Sequence, residues 1–113
     1  MADRLNRAQR VAGAQVLRAL AHPLRLGVLQ VLSAGERTVT DLYQELGCSQ
    51  SMMSQQLGVL ERHGLIRTRK LGTTKYCALR NPDFLKLFTC LRRHLQTVLR
   101  LPEEAGEGCG GQG

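Results

Sequence analysis

Glycines at positions 35, 47, 64 and 72 cut the middle of this chain into pieces long enough for single short helices or strands and little else. Thr38, with Asp41 three residues on, has the form of a capping box and opens a short helix through Val39, Leu42, Tyr43 and Leu46 that Gly47 closes. Ser49 is a natural N-cap for a second helix in which Met53, Leu57 and Leu60 form one stripe. Ser51, Ser54, Gln55, Gly58 and Arg62 fall on its other side. His63-Gly64 stops that helix. Leu65 to Lys70 and Thr74 to Leu79 then read as strands around Leu71-Gly72-Thr73, a three-residue loop with a central glycine. Helix, tight turn, helix and hairpin, in that order, make a winged helix-turn-helix.

The flanks read as further helices. From Arg4 to Leu20 the residues Leu5, Ala8, Val11, Ala12, Val16 and Ala19 recur at helical spacing. His22-Pro23 breaks that pattern and starts a helix that is apolar nearly all round (Leu24, Leu26, Val28, Leu29, Val31, Leu32), as expected of a central core element ended by Gly35. Asn81-Pro82 opens a last helix whose stripe, Phe84, Leu87, Phe88, Leu91, Leu95, Val98 and Leu99, is too wide for so small a domain to cover alone, which implies a partner subunit. The expected fold class is mainly α with a small β-hairpin wing, in the order α-α-α-α-β-β-α. Residues 1–101 would form one domain and residues 102–113, glycine-rich and without apolar pattern, a disordered tail.

Charge points to the partner. The chain carries a formal +7 with pI near 9.9, and three of its nine acidic residues (Glu103, Glu104, Glu107) lie in the tail. Between Arg62 and Pro82 there are six basic residues (Arg62, Arg67, Arg69, Lys70, Lys75, Arg80) and no acidic one, a run suited to phosphates. Aromatic residues make up only 4%, with no stacking platform for single strands, so double-stranded DNA fits better. The short polar side chains of Ser49, Gln50, Ser51, Ser54 and Gln55 suit base edges in a major groove. Phosphate contact, or minor-groove insertion at the wing tip, is expected from at least two of Arg67, Arg69, Lys70 and Lys75, while Arg62 belongs to the helix face that would enter the major groove. The alternatives are a solvated helix face and ordinary solubilising charge on a hairpin edge. No apolar run approaches a membrane span, and Met1 to Arg10 is polar, so a cytoplasmic protein is expected. Nothing supports catalysis: the sequence offers no nucleophile and base pair, no phosphate-cradling glycine loop and no site for a metal-bound water.

Leu20-Ala-His-Pro-Leu-Arg-Leu, the Leu-x-x-Gly-Glu turn near Leu32 to Glu36, Leu46-Gly-x-Ser-Gln-Ser, Ser54-Gln-Gln-Leu and Leu60-Glu-Arg-His-Gly-Leu-Ile together resemble the ArsR/SmtB family of winged-helix repressors. The resemblance covers roughly Leu17 to Leu79 and continues into the last helix. It implies a homodimer through the first and last helices, a pseudo-palindromic operator with half-sites about 34 Å apart, and release by an inducer such as a soft metal, an arsenical or a reactive sulfur species. A winged-helix module binding protein or RNA is the alternative, as is a repressor of this kind that senses neither thiol chemistry nor metal.

This sequence departs from the family's sensing patterns. Thr38-Val39-Thr40 stands where some members carry Cys-x-Cys, and Gln30 stands where oxidant-sensing members place the first of two cysteines. The stretch Phe84 to Leu99 offers only Cys90 and His94 in place of an Asp-x-His and His-x-x-Glu set. Cys90 and His94, one helical turn apart, remain metal candidates across a dimer axis, against the reading that one is an interface hydrophobe and the other partly exposed. Cys48, Cys77 and Cys90 are candidate sensing thiols, against buried structural cysteine, and Cys109 lies in the tail. No cofactor is required by this reading, and the identity of the inducer stays open.

Overall fold

In a computed structural model, residues 4–103 are described. The chain runs α1 (Arg7–Leu20), α2 (Pro23–Leu32), β1 (Arg37–Thr38), α3 (Val39–Leu46), α4 (Gln50–Arg62), β2 (Ile66–Leu71), β3 (Thr74–Leu79), a 3-10 turn (Pro82–Leu85) and α5 (Lys86–Thr97). The three strands form an antiparallel sheet in the order β1-β3-β2.

The core sits where α2, α3, α4 and the sheet meet. Val28, Leu29 and Leu32 of α2 pack with Leu42 and Leu46 of α3, with Met53, Leu57 and Leu60 of α4, and with Leu65, Ile66 and Cys77 beside or in the sheet. The stripe expected on α4 is thus the buried one. α2 and α3 approach closely enough that a Cβ at Gly27 would stand 2.9 Å from Leu46 Cδ2, so a larger residue there would make the Leu46 side chain shift.

The helix starts follow the caps. Thr38 Oγ1 accepts from Asp41 N (3.0 Å) and Ser49 Oγ from Met52 N (3.0 Å), with Gly47 in the left-handed region (φ 68°) closing α3 between them. Two further caps come from side chains not singled out for that role by the sequence. Asn6 and Gln9 form a reciprocal capping box, which starts α1 at Arg7 rather than Arg4, and His22 Nδ1 accepts from Leu24 N (3.1 Å) before Pro23.

The wing differs from expectation in its turn. Leu71 pairs with Thr74, so Gly72-Thr73 is a two-residue connection rather than a three-residue loop, and β2 begins at Ile66 rather than Leu65. Gly72 has φ 64° while Thr73 is not left-handed, the pattern of a type II′ turn, whose twist matches that of paired strands and which needs glycine first. The strand β1 was unforeseen. Its two residues pair with β3, Arg37 with Cys77 and Thr38 with Tyr76.

At the chain ends, the expected α1 stripe is covered only toward its C-terminal end, where Val16 packs partly against the core. Ala19 and Leu20 are buried, whereas Val11 and Leu17 are each 54% exposed. The expected last helix divides into the 3-10 turn and α5, and Val98 and Leu99 fall beyond α5. α5 buries no residue fully, and Leu91, Val98, Leu99 and Leu101 are exposed. Most of the expected tail, residues 104–113, lies outside the described residues. Among those described, no helix is long and apolar enough to cross a membrane.

Candidate nucleic-acid interface

Ser49, Gln50, Ser51, Ser54, Gln55 and Arg62 are all exposed: Ser49 caps α4 and Gln50 opens it, while Ser51, Ser54, Gln55 and Arg62 lie across the helix from the buried stripe of Met53, Leu57 and Leu60. Helical periodicity alone produces this division, because about 100° per residue puts positions 53, 57 and 60 together and leaves 51, 54, 55, 58 and 62 across from them. At Gly58 the only atom near an added Cβ would be Arg62 Nη1 at 3.6 Å, so the backbone there is open to a close approach.

Strand alternation sorts the basic residues of the wing into two sets. The pairs Ile66/Leu79, Thr68/Cys77 and Lys70/Lys75 share one face, and Arg67/Ala78, Arg69/Tyr76 and Leu71/Thr74 share the other. The first face is the one that packs on the core, with Ile66 and Cys77 buried. Thr68 Oγ1 donates to Glu61 Oε2 (2.8 Å), fastening this face to the last turn of α4. Lys70 and Lys75 extend it past the core, directly opposite one another and on the same side as α4.

Arg69 is differently occupied. Its Nε and Nη2 donate to Glu36 Oε2 (2.9 Å) and Oε1 (2.8 Å), and its guanidinium lies 4.5 Å from the centre of the Tyr76 ring. The hydrogen bond from Arg69, with its charge, holds the Glu36 carboxyl below the ordinary carboxylate range. Glu36 follows α2, so this bidentate pair joins the wing to the turn before β1. Of the sequence-predicted wing cations, Lys70, Lys75 and Arg67 have no protein carboxylate partner among the described residues, while Arg69 has one. No local pattern announces this pair, because Glu36 and Arg69 are 33 residues apart.

The three described cysteines stand in three environments. Cys77 is fully buried beneath the wing, and burial pushes its thiol up to about 11. Cys48 is half-buried, and burial raises its pKa as well. Cys90 is exposed on α5, in a shallow groove with Lys86, Thr89, Arg93, His94 and Thr97. Cys90 and His94 thus share a surface, but no group of three or more potential metal ligands gathers among the described residues.

A recognition helix backed by the core and a two-stranded basic wing tied to its last turn define a winged helix-turn-helix of the DNA-binding regulator class. Residues 20–69 match the family model described as a helix-turn-helix domain. The chain is 36% identical over 87 residues to the uncharacterised HTH-type transcriptional regulator Rv0081 of Mycobacterium tuberculosis, covering 76% of each protein. The crystal structure of Rv0081 superimposes with a TM-score of 0.73 at 32% identity, over 85% of this chain and 96% of that one. The chain is also 33% identical over 92 residues to the transcriptional repressor SmtB homolog of Synechocystis, covering 81% of this chain and 68% of that protein. The solution structure of Mb0332 from Mycobacterium bovis, described as a homodimeric winged helix-turn-helix DNA-binding domain and a possible ArsR-family regulator, matches with a TM-score of 0.73 at 28% identity, over 92% of this chain and 99% of that one. The protein belongs to the ArsR/SmtB family of winged-helix transcriptional regulators, a family of DNA-binding proteins rather than enzymes.

Proposed function

We propose that the protein is a dimeric repressor that lays α4 in the major groove of a pseudo-palindromic operator and holds the flanking backbone with Lys70 and Lys75. The observation that carries this reading is the continuity of one surface. The exposed polar face of α4, with Ser51, Ser54 and Gln55, meets a wing whose lysine pair lies on the same side. Ser and Gln side chains supply directional hydrogen bonds to base edges, while paired ammonium groups attract phosphate without regard to sequence.

The exposed apolar residues of α1 (Val11, Leu17) and those at and beyond α5 (Leu91, Val98, Leu99) support self-association. Mb0332 is described as homodimeric, in keeping with a second copy covering these residues here. Footprinting of the full-length protein on genomic fragments, its own upstream region included, tests the reading. Protection of a symmetric site with half-sites about one helical turn apart is expected. Protection of no symmetric site refutes it.

An inducer that reacts with a thiol in the folded domain would act at Cys90, since Cys77 is sealed from solvent and Cys48 is half-buried. The family's cysteine-rich and acid-histidine sensing patterns do not match this sequence, so the inducer is best sought empirically. Operator release measured with arsenite, zinc, cadmium, persulfide and peroxide, alongside mass spectrometry of the cysteines, is the direct experiment. Release by none of them, with unmodified thiols, removes thiol and soft-metal induction.

A further inference from the structure

Gln56 is the only polar side chain among the buried described residues, 8% exposed within the stripe of α4 that faces the core. Its Oε1 accepts from Arg25 Nε at 2.7 Å, and its Nε2 donates to Met52 Sδ at 3.3 Å. Arg25, on α2 and half-buried, also donates through Nη1 to the Ala19 carbonyl at 3.2 Å. That carbonyl lies in the last turn of α1, where helix carbonyls lack partners within their own helix. Arg25 has no carboxylate partner among the described residues, so both of these bonds go to neutral oxygens. One guanidinium therefore links α1, α2 and α4.

Apart from the Thr68–Glu61 bond that ties its last turn to the wing, the contacts that seat α4 against the other helices are apolar and non-directional. Met53, Leu57 and Leu60 hold the helix by packing, which has no preferred bond direction and fixes its rotation less sharply than a hydrogen bond does. Side-chain tips lie roughly 5 to 6 Å from a helix axis, so a turn of about 10° moves them by about 1 Å. That is enough to spoil a hydrogen bond to a base edge, whereas an ammonium group near a phosphate tolerates it.

We infer that Arg25 and Gln56 are positioning residues for DNA recognition, fixing the rotation of α4 relative to α1 so that Gln55 and its neighbours meet the bases in register. This rests on the proposal that α4 reads DNA. The pair touches no DNA itself: Gln56 faces the core, and its partner lies on α2.

The test compares Q56M, which keeps the volume and removes the acceptor, with Q56E, which restores an acceptor for Arg25. Each full-length variant is titrated with the footprinted operator and with a scrambled duplex of equal length at several salt concentrations, and its thermal unfolding is recorded. Q56M is expected to lose at least tenfold of its preference for operator over scrambled duplex, with scrambled-duplex affinity and salt slope unchanged. Q56E is expected to recover most of that preference.

A purely structural role would lower the unfolding temperature and leave the preference intact in the folded fraction, and that result overturns the inference. Equal losses on both duplexes overturn it too. If Q56M does not fold, R25M, which removes the donor instead, carries the same expectation. Wild-type protein that prefers no duplex would refute the reading of α4 itself, an outcome distinct from a variant that discriminates as wild type does.

Discussion

Replacing Lys70 by glutamine should move stability and DNA affinity in opposite directions. Lys70 stands directly opposite Lys75, one pair in from the turn. In a hairpin with a two-residue turn, the pair flanking the turn is the hydrogen-bonded one, so the lysines occupy the next, non-hydrogen-bonded pair, where side chains approach more closely. Like charges so placed cost about 0.2 to 1 kcal/mol. K70Q relieves that repulsion, so the unfolding free energy should stay level or rise by a few tenths of a kcal/mol. On DNA, the loss of one phosphate contact should make the salt slope shallower by about 0.9. Between 50 and 200 mM salt this changes the relative affinity of mutant and wild type roughly threefold, and about twelvefold for K70Q/K75Q.

Fluorescence anisotropy on operator and scrambled duplexes over that salt range, with urea unfolding of the same samples, measures both quantities. Q55A is the contrast. It should cost about 1 to 3 kcal/mol on the operator and little on the scrambled duplex, with no change of slope. An unchanged slope for K70Q, or a K70Q defect confined to the operator, would show that the division between base-reading helix and phosphate-holding wing is wrong.

Further perturbations test individual contacts of the fold and the wing. E36Q removes the carboxylate that holds Arg69, and the salt slope should steepen toward one more phosphate contact; an unchanged slope means the Tyr76 ring alone keeps Arg69 in place. Because the Glu36 carboxyl is held below its ordinary value, its tie to Arg69 persists at neutral pH and is lost only as pH falls below the carboxylate range, which low-pH NMR of the Glu36 carboxyl would follow. With its thiol pushed from 9.0 to about 11, Cys77 should carry about a hundredfold less thiolate near pH 8, and mass-spectrometric labelling should modify Cys90 first and Cys77 only on unfolding; simultaneous labelling contradicts the buried placement. S49A removes the acceptor for Met52 N at the start of α4 and should cost about 1 kcal/mol in urea unfolding, with faster hydrogen exchange confined to the first turn of that helix.

What the sequence disclosed followed local physics. Ser49, Thr38, Gly47 and Gly64 act within a few residues of themselves, so the limits of α3 and α4 and the buried stripe Met53, Leu57 and Leu60 were legible from spacing. What it withheld depends on distant partners. β1 has only two residues and exists because β3 lies beside it. Arg69 looked like any other wing cation until folding brought Glu36 to it. Gln56 stands at helical spacing with Met53 and Leu60, so the period turns it inward, but its polarity masked that and nothing local named Arg25 as its partner. The stripe of α1 is a related case: periodicity shows that a face is apolar, and only the surrounding structure shows what covers it. Val11 stays exposed in the single chain, and so does Leu17, which the stripe did not include.

The shortness of the wing turn carries a geometric consequence. Thr68 is pinned to the end of α4 through Glu61, and Lys70 follows two residues later on the same face. At about 3.3 Å per residue, the lysine pair is held about 7 Å beyond that anchor, close to the axial rise of two base pairs. With two turn residues and no slack, the wing works as a ruler of fixed length. With α4 in the major groove as proposed and the wing running along the duplex, each half-site would extend about two base pairs past the segment α4 occupies, over positions where the protein requires duplex but no particular base.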